Sequence, residues 1–337
     1  MEQGYNGINK IDNIILNYEY SSLLHKKVKM KKYIREHWPM GVFFIIVLLG
    51  GFNGIGIHFT VQELSPFWGA TLRFGPAALL MLLLMVIKKL PLPRGKAWLG
   101  AVLFGFFNFG GSYALIYYGL QTVQPGMGQV IMALVPLFTL LFAVAHRQES
   151  FHWRGLLGSL LAVVGIAFIF REQLRTDIPL LSILAIVLGA IFIAEGNIVI
   201  KFFPHNHPIT TNAVGLTVGT IFLFGLSLLK GEPLVLPTQA ATWAALTYLV
   251  LFGTSILFLL VLNLLQVWSA STTAYIFVLL PFVSLAGSAW LADEKLSPIL
   301  LVGAALVIAG TLIGIQKSHK KTEVMVAVAG EKIPLIK

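Results

Sequence analysis

The sequence predicts an all-α integral membrane fold of ten transmembrane helices, arranged as a 5+5 inverted-topology repeat with both termini in the cytoplasm. Three observations carry that expectation: a composition too apolar for a water-facing surface, ten apolar stretches of membrane-crossing length, and a match of the chain to itself at a shift of 145 residues. Hydrophobic residues make up 57% of the chain and charged ones 11%, which leaves too few polar side chains to cover a soluble protein. Runs such as Gly41 to Phe52 and Val130 to Ala145 carry no charge at all, so the surrounding solvent is lipid.

Stretches of about 17 to 25 apolar residues, the length a helix needs to cross a bilayer, fall at 40–60, 66–87, 97–119, 125–145, 154–170, 179–203, 209–229, 240–265, 270–292 and 298–316. The fifth is the shortest. Arg154 and Arg171 flank it and can snorkel to the two interfaces, so about 16 apolar residues suffice there. All seven tryptophans, Trp38, Trp68, Trp98, Trp153, Trp243, Trp268 and Trp290, stand near the end of a predicted helix, where an aromatic belt places them.

Lys and Arg set the orientation. With the N-terminus inside, 19 of the 24 fall in the tails and the cytoplasmic loops, whereas only Arg171, Arg175, Lys230 and Lys295 lie outside and Arg73 sits within a span. The bias places both termini in the cytoplasm. It also explains the net charge of +10 as a topology signal, with no nucleic-acid partner implied. No cysteine is present, so disulfides and thiol chemistry are excluded. The first apolar segment is long enough to span and has no small-residue cleavage site behind it, so a cleavable signal peptide is not expected.

The shift of 145 residues aligns Gln121 with Gln266, Pro136 with Pro281, Glu149 with Glu294, Gly158 with Gly303, and Gly165 with Gly310. Asn53 meets Asn197 at a shift of 144. Identities of polar and helix-breaking types at one spacing point to duplication. Five helices per half is an odd number, which turns the second half upside down in the membrane, as in many secondary transporters. The expected organisation is a cytoplasmic tail at 1–39, a first repeat at 40–170, a linker at 171–178, a second repeat at 179–316 and a basic cytoplasmic tail at 317–337. Residues 1–29 read as a disordered extension, or as an upstream start before Met30.

A proline within an apolar helix, a short loop with Glu and a Gly-spaced helix recur as Pro136, Glu149, Gly158, Gly165 and as Pro281, Glu294, Gly303, Gly310. This pattern resembles the EamA-type members of the drug/metabolite transporter superfamily, as does the arginine in Phe67-Trp68-Gly69-Ala70-Thr71-Leu72-Arg73-Phe74. The resemblance covers roughly residues 40 to 316. It implies ten helices, a central cavity between the halves, and export of small metabolites, amino acids or amphipathic toxic compounds.

Ionisable groups within spans are costly, on the order of 3 kcal/mol at the centre, and each is therefore a functional candidate. There are three: His58, Arg73 and Glu195. Arg73 lies about 10 Å along the second helix from its outer end; a snorkelling anchor or a stabilising ion pair are its other readings. His58 lies near the outer end of the first span, where an interfacial role is the alternative. Glu195 sits about 24 Å along the sixth span. A carboxyl held away from water can cycle a proton, the simplest basis for proton-coupled exchange; a permanent pair with Lys201 is the competing reading.

Neutral polar candidates for a pathway are Asn53, Asn108, Tyr113, Gln129, Asn197, Asn263 and Tyr275, although in lipid such side chains also serve as interhelical glue. They fall on spans one, three, four, six, eight and nine, those expected to face a cavity if the fifth and tenth helices are peripheral. Aromatic residues of span three, Phe104, Phe106, Phe107, Phe109, Tyr113, Tyr117 and Tyr118, either line an apolar pocket or pack. Pro136 and Pro281 each remove a backbone hydrogen bond, producing a hinge or a fixed kink. Glu149 and Glu294 read as structural. Glycine pairs at four-residue spacing, Gly50/Gly54, Gly215/Gly219 and Gly310/Gly314, permit close helix contact.

No metal or cofactor motif is present, and His205-x-His207 reads as a solvated turn rather than a metal site. The expected activity is secondary transport of a small-molecule substrate across the cell membrane by alternating access, with protons as a candidate coupling ion, the lipid bilayer as surroundings and a homodimer as a candidate assembly. An intramembrane enzyme acting on a lipid-linked or small hydrophobic substrate is the alternative. The three ionisable residues are too scattered to form the acid pair it needs.

Overall fold

The computed structural model describes residues 38–151, 153–173, 179–291 and 298–315. Residues 1–37 of the expected tail at 1–39, the whole expected tail at 317–337 with residue 316, linker residues 174–178, and Glu294 with Lys295 lie outside the described residues. The protein is an all-α, multi-pass membrane fold. Eight helices of the described residues are long and apolar enough to cross a bilayer: α1 (Trp38–Val61), α2 (Pro66–Ile87), α3 (Lys96–Gly119), α4 (Pro125–Ala145), α6 (Leu180–Phe202), α7 (Pro208–Leu229), α8 (Ala240–Val267) and α9 (Ala270–Leu291). The remaining two are α5 (Trp153–Gln173) and α10 (Pro298–Ile315). Contacts divide the chain into Met1–Phe44 and Ile45–Lys337, and every interaction described below lies within the second unit.

Local sequence starts the helices. Pro66, Pro125, Pro208 and Pro298 stand at the first helical position, where the missing N–H costs nothing and the fixed φ is already helical. At α9 the hydroxyl of Ser269 accepts from Thr272 N at 3.1 Å. At α7 the Nδ1 of His207 accepts from Ile209 N at 3.2 Å, which gives the His205-x-His207 turn a capping role.

Two helices widen locally into π-helix, at Phe106–Gly111 in α3 and at Leu251–Ile256 in α8. These segments are 145 residues apart, the same shift that aligns the two halves. The helix pairings obey it as well: α5 packs on α10, α2 on α7, α4 on α9, α3 on α6 and α8 on α1, and advancing every helix by five returns the same set. At the α5–α10 crossing the repeat-matched glycines meet crosswise. A Cβ on Gly165 would stand 2.6 Å from the carbonyl oxygen of Gly303, and one on Gly310 would strike the carbonyl oxygen of Gly158. The two helices are therefore antiparallel and in backbone contact.

Charged side chains tie helix ends together, three of them across the two halves and Lys201 within the second. Glu63, between α1 and α2, accepts from the Thr238 hydroxyl at 2.6 Å, from Thr238 N and from Gln239 N at 3.2 Å, just ahead of α8. Glu232, after α7, accepts from Phe67 N at 3.3 Å and Trp68 N at 2.7 Å in the first turn of α2. Glu149, after α4, accepts from Ser271 N at 3.3 Å at the start of α9. Lys201, ending α6, donates to Leu265 O at 2.8 Å and Trp268 O at 2.6 Å at the end of α8. Each sign matches the helix dipole it faces.

Replacing Gly310 by Leu sets a side chain against backbone that cannot rotate away, and is expected to lower stability by about 1–3 kcal/mol. Gly225→Ala, whose Cβ meets nothing within 4 Å, is the neutral control; thermal unfolding in detergent compares them. The hydrogen bonds from Thr238 hold the Glu63 carboxyl below its ordinary 4.5, at about 2. Its contribution is complete above pH 4.5 and lost as pH falls towards 2. Exchange protection at the Thr238 and Gln239 amides should decline over that window, and Glu63→Gln should abolish the decline.

Candidate functional site

Helices α1, α3, α4, α6, α8 and α9 line a cavity that, counted together with its open mouth, holds about 720 Å³ of space not filled by atoms. Its walls are mainly apolar, with Ile46 and Ile57 from α1, Ile116 from α3, Met132 from α4, Ile193 from α6, Leu257, Phe258 and Val261 from α8, and Ile276, Phe277 and Leu280 from α9. The polar lining is neutral: Asn53, Asn108, Tyr113, Gln129, Asn197 and Thr273. Among the described lining residues none carries a charge.

The lining repeats across the two halves. At the shift of 145 Tyr113 corresponds to Phe258, Ile116 to Val261 and Met132 to Phe277, and at 144 Asn53 corresponds to Asn197. Met132 and Phe277 are each four residues before a proline, Pro136 and Pro281, which is the carbonyl position a proline deprives of its helical donor. The prolines themselves are buried and do not line the space. Ahead of Pro136, α4 is interrupted at Ala133 and Leu134, whose N–H groups bond to Val130 O at 3.1 Å and Ile131 O at 3.0 Å, a tighter turn.

Beside the cavity lies a buried cation. Arg73 is fully buried, at 0% exposure, and does not reach outward to water. Its Nε donates to the Thr254 hydroxyl at 2.8 Å and its Nη2 to Gly253 O at 2.9 Å. The guanidinium carbon stands 4.8 Å from the centroid of the Phe74 ring and 4.7 Å from that of Tyr113, within cation–π range. Gly253 O also accepts from Asn53 Nδ2 at 3.1 Å. Both acceptors belong to the π-helical segment of α8, where the widened turn shifts backbone carbonyls out of the regular ladder. The Nη1 of Arg73, the Oδ1 of Asn53, the Nδ2 of Asn108 and the Oε1 of Gln129 are buried without hydrogen-bond partners.

Five of the polar residues expected on a pathway, Asn53, Asn108, Tyr113, Gln129 and Asn197, come together around this cavity. Three do not line it. Asn263 bonds back to Leu259 O at 2.7 Å on its own helix; Tyr275 packs against the apolar cluster of Val130, Val278 and Val307. Glu195 is 3.1 Å from His146 Nε2, and the two side chains are 21% and 39% exposed. Its partner is His146 and not Lys201, which is held by carbonyls of α8. His58 pairs with Gln62 at 2.9 Å near the end of α1. Of the span-three aromatics, Phe104, Phe109 and Tyr117 are fully buried, and Phe109 packs on Phe258 with centroids 4.6 Å apart.

The residues that sequence reasoning missed are Phe258, Phe277, Thr273, Thr254 and His146. Phe258 alone had a signal, through the shift, since it occupies the repeat-matched position of Tyr113. Among the described residues no group of three or more His, Cys, Asp or Glu is placed to hold a metal ion.

A helical membrane fold with a central, mainly apolar cavity lined by matched residues of two halves defines a membrane transporter scaffold. The sequence model of the EamA-like transporter family matches twice, over residues 37–171 and 180–315; the chain belongs to that family. It is similar to the uncharacterized transporter YyaM of Bacillus subtilis (strain 168), 28% identical over 81% of this chain and 93% of that one. It is also similar to the uncharacterized inner membrane transporter YedA of Escherichia coli (strain K12), 26% identical over 79% of this chain and 87% of the other. A solved crystal structure at 15% identity covers 84% of this chain and 98% of its own, with a TM-score of 0.65, a likeness of fold alone.

Thr254→Val keeps the shape of the Arg73 contact and removes its hydroxyl acceptor. Leaving a buried cationic N–H unpaired should cost about 1–3 kcal/mol, read as a fall in unfolding temperature. Thr247→Val, at an exposed threonine bonded only within its own helix, should change stability by less than about 0.5 kcal/mol.

Proposed function

We propose that this protein is a secondary carrier that exports or exchanges small metabolites, amino acids or amphipathic compounds across a bacterial plasma membrane by alternating access. On this reading all ten helices span the bilayer as a 5+5 inverted-topology repeat with both termini in the cytoplasm, and the two halves rock about the cavity. The observation that carries it is the lining itself, in which repeat-matched residues such as Tyr113 and Phe258 face one space. A site at the interface of two related halves can be exposed to either side by the same motion. Asn53, Asn108, Tyr113, Gln129 and Asn197 are the substrate-contacting residues of this reading. The carbonyls freed by Pro136 and Pro281 border the cavity where hinges would act.

Glu195 is assigned proton coupling. Support comes from its pairing with His146 at the end of α4, which joins the two halves through two groups that both bind protons. Separating α4 from α6 breaks this pair, so a proton that neutralises the carboxylate would favour the separated state.

Counterflow in proteoliposomes tests the carrier reading. Liposomes loaded with an unlabelled solute should accumulate its labelled form without ATP, in a panel of amino acids, carboxylates and amines. Correctly folded protein that moves none of them would overturn it. In the same vesicles Glu195→Gln should retain counterflow and lose accumulation driven by a pH gradient; an unaltered pH response would remove Glu195 from the mechanism.

A further inference from the structure

The charge that borders the cavity is unopposed, and its sign selects the ligand. Arg73 keeps its proton in any protein environment. Yet the groups around it are neutral, the Thr254 hydroxyl, the Gly253 carbonyl, the Phe74 ring and the phenols of Tyr113 and Tyr117, and among the described residues no carboxylate lies within salt-bridge distance of it. Each carboxylate whose side chain is described is otherwise engaged: Glu63, Glu149 and Glu232 at helix N-termini, and Glu195 with His146. Natural membrane proteins seldom bury a cation without a counter-charge. Here one stands behind the Tyr113 ring, 4.7 Å from its centroid, and Tyr113 is itself a wall of the cavity.

We infer that the cavity binds small organic anions, with a carboxylate or similar acidic group on the Tyr113 side, where Arg73 lies behind the wall, and an apolar body against Phe258 and Phe277. The inference rests on the cavity being the substrate site of the proposed carrier. Two kinds of observation meet in it. The uncompensated charge of Arg73 makes the potential positive, and among the described lining residues no acidic one cancels it. The described walls supply the rest: Ile116, Ile193, Phe258, Ile276 and Phe277 offer apolar surface for the body of such a ligand.

The magnitude is sufficient for selection. A unit charge about 8 Å from the ligand, at an effective dielectric of about 20, changes affinity about 30-fold for each unit of ligand charge. Between an anion and a cation of the same frame the ratio is therefore about a thousandfold. Arg73 acts through space and across a ring, so it determines preference without touching the ligand.

Three probes of one skeleton test this on the full chain in phosphatidylcholine nanodiscs by calorimetry: 3-phenyllactate, its neutral amide, and the cationic phenylalaninol. The expected order is carboxylate, amide, ammonium, with a loss of about 30-fold at each step. Arg73→Met should bring the three within about threefold of one another, and Arg73→Lys should restore the order. Equal affinities, a preference for phenylalaninol, or binding of none of the three at millimolar concentration would overturn the inference, and the wild-type order decides it even where Arg73→Met does not fold. Counterflow separates this from the carrier reading: movement of neutral or cationic solutes alone defeats the charge assignment and leaves the carrier intact, whereas tight phenyllactate binding with no movement of any solute defeats the carrier and leaves the site.

Discussion

One main-chain oxygen, that of Gly253, joins three helices: it accepts from Asn53 of α1 and from Arg73 of α2 while belonging to α8. In a bilayer a regular helix has no carbonyl to spare, because every one is taken by its own i+4 donor. The π-helical turn at Leu251–Ile256 makes one available. The missing side chain of Gly253 lets Asn53 approach so closely that any Cβ there would strike its Oδ1. The position of Arg73, and through it the stacking of Phe74 and Tyr113 along the cavity wall, follows from that single widened turn.

Much of the fold was legible because lipid is a demanding solvent. Apolar runs must reach across it, and the helix ends fall within three residues of the apolar stretches. The shift of 145 was visible through Gln, Pro, Glu and Gly, residue types with too few substitutes to match by chance. The π-helical segments obey the same shift but share only Phe107 and Phe252, since a widened turn is a backbone event that many sequences support. Polar positions in the site were legible for a related reason: an amide in hydrocarbon is costly enough to stand out, so Asn53, Asn108 and Gln129 announced themselves. Phe258 and Phe277 did not, being apolar residues in an apolar chain. The partner of Glu195 was hidden because His146 is 49 positions away, on a different helix, and only the packing of α4 beside α6 brings them together.

Electrostatics in this protein separates into two regimes. At the helix ends, charges meet helix termini of the opposite sign and most are partly hydrated, so each contributes modestly and their sum fixes which ends are neighbours. Within the bundle the reverse holds. Arg73 is stabilised by dipoles and quadrupoles alone, and neutral groups cannot cancel its field at a distance. A structure that neutralised this charge with a nearby carboxylate would have a more stable core and a cavity with no preference for sign.

The crossing of α5 and α10 has a different consequence. Where side chains separate two helices, rotamer changes allow them to slide or tilt in small steps. At Gly158, Gly165, Gly303 and Gly310 these two helices meet backbone to backbone, with Leu161, Leu306 and Val307 alongside, and backbone has no alternative rotamers to exchange. The pair has one close-packed register and resists shear. It is a mechanical ground point for the bundle, the part of the molecule against which displacement elsewhere is measured.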